Sequence, residues 1–349
     1  MQVAAEVQEW QERGVRAAFA RVVELDGFSS WSADELVAVN EEGACQGEIL
    51  GHYGTERVSA AASGLLSSAS GLSRLTVEVA GDEIAASGLS CGGRAELLLQ
   101  PINTVPTELW SALARRIPVA LLTRVDGPGA GPSGLVVFAD GRSVGHLEVA
   151  PGPEVLDAAV ESLRAGHRAV HSLEDQAGVV IVEAFVPSPR LIVVGEGELV
   201  TALTRQADLL EWELAESGDG SAIDDLLDWG GASSALIMLS HDPKVDAPAL
   251  ARALARGIGY VGAMGSRRTQ SRREERLKEL GVPAGDIERI HRPIGLDLGG
   301  RRPAEIAMAI CSEILSVRCG RDGRSLATRQ APINDHPGGR GGRAPSVGP

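Results

Sequence analysis

Apolar positions change rhythm at the middle of this chain. From Pro189 onward, short apolar runs alternate with stretches of helical period. Leu191-Ile192-Val193-Val194 is four apolar residues in a row, the pattern of a strand buried on both faces. Trp212 to Glu216, Ala235 to Ser240 and Gly259 to Met264 read as the next strands, with Ile290 to Asp297 as a further strand end and loop. Helices are predicted at Glu198 to Glu211, at Ala247 to Arg256, and from Arg267 to the stop at Gly281. A last helix opens at Pro303, with Ile306, Ala309, Ile310, Glu313 and Ile314 marking its faces. Strand followed by helix, repeated, predicts an α/β fold: a Rossmann-like doubly wound parallel sheet over residues 188–320.

The first part follows another pattern. Gln8 to Ala20 reads as a helix running into a strand at Phe19 to Val23, and Leu36 to Val39 is a second strand before the turn at Gly43. Val119 to Gly127 and Leu135 to Gly141 repeat this arrangement, and the separation from Gly43 to Gly141 equals that from Gly47 to Gly145. Gly93 to Pro101 and Gly178 to Ala184 are likewise alike. These matches predict an amino-terminal α+β domain over residues 1–187 built from two related halves. From residue 321 on, Gly, Pro, Arg and Ser dominate without apolar period, the composition of a disordered tail.

Charge narrows the partners. The 349 residues carry 33 basic and 47 acidic side chains, a net charge of -14, which argues against non-specific binding to nucleic acid or an anionic membrane. No apolar run approaches the roughly 20 residues that span a bilayer, and Met1 to Gly14 lacks a signal-peptide core, so a cytoplasmic location is expected. Cys45, Cys91, Cys311 and Cys319 have no Cys-x-x-Cys spacing, which gives neither a zinc site nor a disulfide framework.

Against that acidic background, Gly265-Ser266-Arg267-Arg268 combines a glycine turn, a hydroxyl, a helix start and two guanidinium groups, a combination suited to an oxyanion such as phosphate. Arg272, Arg273 and Arg276, interleaved with Glu274 and Glu275, read as a solvated helix face. Gly195-Glu196-Gly197 is a strand-to-helix turn of the dinucleotide-binding type, and Glu216 stands where a ribose-binding carboxylate is expected. His241 and Asp242 fall at the carboxyl tip of a central strand, where open α/β sheets bind ligands. Asp246 reads as the cap of the following helix. Cys91, flanked by Ser90 and Gly92-Gly93, is open to two readings: an exposed thiol on flexible backbone, or a small residue packed in a turn.

The segments Pro189 to Gly197, Leu239-Ser240-His241-Asp242-Pro243 with Asp246, Tyr260 to Arg268, and His291 to Asp297 followed by Arg302 to Ala307 together resemble the XdhC/CoxI family. These are maturation factors of xanthine dehydrogenase and related molybdenum hydroxylases. The resemblance covers residues 188–316 well and the first domain loosely, through Ser90 to Gly93 and the glycine turns. It implies a chaperone without turnover of its own, which binds the molybdenum cofactor (molybdopterin), holds it while an oxo ligand is exchanged for sulfur, and passes it to an apo-hydroxylase. A cysteine desulfurase is implied as a further partner, and a homodimer is expected because twofold closed assemblies are the commonest.

Carried onto this sequence, the cofactor-binding positions are Cys91 at the molybdenum end, Gly195 and Gly197, His241 and Asp242, and Gly262 with Gly265, Ser266, Arg267 and Arg268. The family pattern is not followed everywhere. His52 and Tyr53 stand where a Gly-Gly-Cys is usual, Gln100 replaces an acidic residue, and Glu196, Glu198 and Val200 surround the first glycine turn. Two alternatives follow from the residues: an NAD(P)-dependent oxidoreductase, from Gly195-x-Gly197 and Glu216, and a paralogue that no longer binds cofactor.

Overall fold

A computed structural model describes residues 2–26, 35–67, 71–80, 92–166, 168–230 and 233–328. The described chain divides into two compact units after Pro187.

In the first unit the duplication is visible strand for strand. The first half contains α1 (Gln2–Glu12), β1 (Ala17–Asp26), β2 (Leu36–Asn40), β3 (Cys45–Glu48), α2 (Gly51–Ser67), β4 (Ser73–Val79) and β5 (Gly93–Pro101). The second contains α3 (Thr107–Ala114), β6 (Val119–Arg124), β7 (Gly134–Phe138), β8 (Ser143–Gly145), α4 (Pro153–Arg164), β9 (Ala169–Asp175) and β10 (Gly178–Phe185). Their antiparallel sheets have the same order, β3-β2-β1-β5-β4 and β8-β7-β6-β10-β9. The paired turns match too. Gly43 and Gly141 both have φ 86°, while Gly47 and Gly145 have φ 88° and 91°, in the left-handed region that glycine enters without strain.

The first helix lies earlier than the sequence pattern places it. Gly14, at φ 68°, ends the helix region after Glu12, and the run expected to finish the helix instead forms the start of β1. Ala17, Ala18, Phe19 and Ala20 are good or tolerable helix formers, yet each is buried between β2 and β5. Tertiary pairing overrides propensity here.

Apolar faces of the two sheets meet around Phe19, Ala38, Leu121, Val136 and Phe185, closed by Trp10 of α1 and Trp110 of α3. Helix α2 covers the other face of the first sheet and α4 that of the second. Within this dry layer lies one polar cluster. Arg21 donates through Nε to Glu183, and through Nη2 to the Gln100 side chain and to Thr123 Oγ1 at 3.0 Å. All four residues are fully buried. The strand registers explain the set: Ala17 faces Asn40 as Val119 faces Phe138, and Phe19 faces Gln100 as Leu121 faces Glu183. Arg21 and Thr123 are therefore equivalent positions of the two halves, and so are Gln100 and Glu183. One copy keeps the cation and the other the anion.

A second buried pair lies under α4. Arg124 grips both oxygens of Asp175 at 2.8 Å, and Asp175 also accepts the N–H groups of Ala177 and Gly152. The Arg124 guanidinium, followed by those backbone donors, holds the Asp175 carboxyl well below the usual carboxylate range. A depressed folded-state pKa gives stability that is present above the unfolded value of about 3.9 and is lost as pH falls toward the folded one. The difference in urea midpoint between the natural protein and Asp175→Asn should be full at pH 6 and clearly smaller at pH 3; an unchanged difference would refute the pairing.

The second unit is a parallel sheet ordered β12-β11-β13-β14-β15. Its elements run β11 (Arg190–Val194), α5 (Glu198–Leu209), β12 (Glu213–Ser217), α6 (Ile223–Gly230), β13 (Ala235–Met238), α7 (Asp246–Ala255), β14 (Tyr260–Ala263), α8 (Arg267–Glu279), α9 (Ala284–Glu288), β15 (Ile290–His291) and α10 (Pro303–Arg318). Helices α6 to α9 pack on one face, and α5 and α10 on the other. Strands β11, β13 and β14 are almost wholly apolar because both of their faces are covered. After Gly320 the expectation of disorder needs correcting in part: Leu326–Thr328 form a 3₁₀ turn, and Gly323, at φ 69°, lies against Leu296. Residues 329–349 lie outside the described residues.

Candidate functional site

Three turns leave the carboxyl edge of the parallel sheet from adjacent strands: Gly195-Glu196-Gly197 after β11, Ser240-His241-Asp242 after β13, and Gly265-Ser266 after β14. Strand order reverses between β11 and β13, and open α/β sheets bind ligands at such a point. The sequence-predicted residues of this domain other than Gly262 are thus brought to one edge.

The turn after β14 starts α8 as expected. Ser266 is the N-cap, and its Oγ accepts the Thr269 N–H at 3.3 Å. The N–H groups of Arg267 and Arg268 belong to the first turn and have no acceptor within the helix. Both side chains are exposed, and neither guanidinium has an ion-pair partner among the described residues.

Arg273 corrects the reading of a solvated face. It is 3% exposed, and its guanidinium pairs with Asp246 Oδ2 at 3.1 Å and reaches Gln270 Oε1 at 2.7 Å. It also donates to the Met264 carbonyl at 3.1 Å and the Ser240 carbonyl at 3.4 Å. One buried cation thereby ties together the exits of β13 and β14. Gln270, Arg273 and Leu277 share one side of α8, and the apolar Leu277 was the sign in the sequence that this side faces inward. Asp246 is corrected with it. Val245 occupies the N-cap of α7 without a side-chain bond, and Asp246, in the first turn, accepts the Ala247 N–H through Oδ1 and the Arg273 Nε–H through Oδ2.

Other candidates are placed differently. His241 and Asp242 are exposed. The Asp242 carboxylate accepts the Lys244 N–H at 2.9 Å and so closes its own turn. Gly262 does not face the edge: a side chain there would collide with Ile294 at 2.4 Å, so the space it leaves is filled by the protein itself. Gly195, at φ 142°, admits Leu239 in the same way, whereas Gly197, at φ 105°, borders open space. Cys91, and with it any thiol at the molybdenum end, lies outside the described residues. Cys311 is packing: burial pushes its thiol up to about 12.

Two groupings escaped the sequence. A cavity of about 450 Å³ opens beside Gly197, lined by Glu196, Val200, Thr201, Thr204, Arg205 and Glu216. Glu216 is the predicted ribose-type carboxylate; Arg205 and the threonines, spaced along one side of α5, were not singled out. Beyond β15, the Glu313 carboxylate accepts the Tyr260 hydroxyl, Gly295 N–H at 2.7 Å and His291 Nδ1 at 3.2 Å. Burial alone would raise the Glu313 carboxyl, but the three donors outweigh it and hold it low. Tyr260, buried against that carboxylate, is pushed up. This cluster locks α10 to the edge strand.

Comparison with known proteins agrees with this geometry. The family model described as the XdhC Rossmann domain matches residues 191–314, the whole parallel sheet. The "molybdenum cofactor insertion chaperone PaoD" of Escherichia coli K12 is 30% identical over 139 residues, 38% of this chain and 42% of PaoD. The "uncharacterized protein YqeB" of the same organism is 26% identical over 247 residues, 61% of this chain and 46% of YqeB. The chain spans less than half the length of each of these two relatives. A crystal structure named a xanthine dehydrogenase from Bacillus halodurans shares the fold with a TM-score of 0.56 and 16% identity, over 95% of this chain and 98% of that one. From its first strand into its last helix, the parallel sheet thus matches the XdhC Rossmann domain, and a cofactor-insertion chaperone is among the proteins that the chain resembles.

Proposed function

We propose that this protein is a maturation factor that binds the molybdenum cofactor and delivers it to a molybdenum hydroxylase of the xanthine dehydrogenase type. The observation that carries this reading is the start of α8. There, first-turn N–H groups and two arginines without an ion-pair partner among the described residues meet at the carboxyl edge of a protein whose net charge is -14. Molybdopterin ends in a phosphate, or in a pyrophosphate when extended by a nucleotide. Helix dipole, free N–H groups and planar guanidinium forks all favour that end of the molecule. The kinship with PaoD supports the same cargo.

Residues Gly265, Ser266, Arg267 and Arg268 hold the phosphate end in this account, with Gly197, His241 and Asp242 bordering it. Released cofactor passed with the protein over a desalting column should be retained. Arg267→Ala combined with Arg268→Ala should lower retention about tenfold or more, as expected for two lost charge-assisted contacts. Unchanged retention would remove these residues from the site.

Glu216 at the end of β12 favours a second reading, a nicotinamide-dependent oxidoreductase. Fluorescence titration with NADH separates the two. Saturable micromolar binding that is lost in Gly197→Val would support it; a flat titration would reject it.

A further inference from the structure

Apolar contacts alone do not tell the two halves of the first unit apart. Ala17, Phe19 and Ala38 line the layer between the sheets from one half, and their equivalents Val119, Leu121 and Val136 line it from the other. Each half therefore offers an apolar face that suits a copy of itself about as well as its partner. A chain with two such faces can mispair with a second chain while folding, a characteristic failure of repeated domains.

The polar positions break that equivalence. Where the first half has Arg21 and Gln100, the second has Thr123 and Glu183. Pairing of unlike halves sets the Arg21 guanidinium on the Glu183 carboxylate, with neither side chain exposed to water. Arg21 also touches its own equivalent, Thr123, at 3.0 Å. Two first halves would therefore bring Arg21 against a second Arg21, with neutral Gln100 in place of the carboxylate. Two second halves would bury a pair of Glu183 carboxylates beside threonines, without a cation. A buried charge that lacks its counter-charge is strongly destabilising.

Stability does not account for the pair. Arg21 Nη1 and Glu183 Oε1 have no hydrogen-bond partner among the described residues. A buried ion pair with polar atoms left over is often no better than an apolar pair of similar size. Selection between partners is a separate quantity, the difference between right and wrong pairings, and it is large when the wrong pairing buries like charges.

We propose that the inner face of each half is an interaction surface specific for the opposite half, and that Arg21 and Glu183 supply this specificity by excluding like halves of other chains. The inference concerns the first unit alone and is independent of the cargo reading.

Full-length variants test it. Arg21→Glu gives two anionic faces and Glu183→Arg two cationic ones, so each reproduces a like pairing inside one chain. Either should lower the urea midpoint of the first unit, followed by hydrogen exchange of β1 and β6, by at least about 1 M. Combining the two exchanges the charges between the halves and should restore most of that loss. Arg21→Met with Glu183→Leu keeps a stable face and removes the discrimination. On refolding from urea it should give assemblies larger than the natural protein, in a share that grows with protein concentration, while the natural chain returns to its own size over the same range.

Failure of the exchanged variant to recover overturns the inference, because the charges would then act by position and not by complementarity. Clean refolding of the neutral variant at every concentration overturns it as well.

Discussion

Glu183→Ala is expected to destabilise the first unit by about 3–5 kcal/mol, the cost of leaving one member of a buried ion pair without its counter-charge. Arg21 and Glu183 are both fully buried between the two sheets, so water cannot replace the lost carboxylate without opening that layer. Gln100 and Thr123 would still accept from Arg21, but both are neutral. The pair is expected to matter by its breaking rather than by its presence. Arg21→Met combined with Glu183→Leu, of similar shape and no charge, should recover most of the loss. Urea unfolding of the single and double variants measures this directly. A single variant costing less than about 1 kcal/mol would mean that the cluster is hydrated, contrary to its burial.

Arg273→Ala should cost a comparable amount, about 3–5 kcal/mol, and act on function as well. It leaves Asp246 charged with 4% of its surface exposed, and it frees the Ser240 and Met264 carbonyls that the guanidinium now holds. Those carbonyls fix the chain just before His241 and just before Gly265. Loosening them should lower cofactor retention even at temperatures where the protein remains folded. Arg273→Lys keeps the charge but not the planar fork, so it should fall between the natural protein and the alanine variant. Hydrogen exchange of α7 and α8, read beside retention, checks both halves. Slowly exchanging amides in these helices of Arg273→Ala would contradict the account.

Much of the architecture was legible from hydrophobic rhythm. Runs such as Leu191 to Val194 and Ala235 to Met238 announced a parallel sheet because only strands covered on both faces are apolar at successive positions. The duplication showed through the spacing of four glycines whose φ angles no other residue adopts easily. Where the reading failed, long-range contact decided the outcome. Ala17 to Ala20 look helical until β2 and β5 flank them, and Arg273 looks solvated until Asp246 arrives from another helix.

The candidate site was partly legible for the same reason. Gly265 to Arg268 are consecutive, so their chemistry was readable as a string. The cavity is assembled from the turn after β11, from α5 and from the end of β12, so no single string of residues displays it. Gly262 shows the converse: a glycine within a matching motif whose vacancy is taken by Ile294.

The most direct test is equilibrium dialysis of the full natural chain against released molybdenum cofactor, with molybdenum and phosphate counted per chain and pyrophosphate added as competitor. Binding that saturates and is displaced by pyrophosphate is the predicted result. No uptake of cofactor, or uptake that pyrophosphate leaves untouched, would contradict a phosphate-anchored carrier.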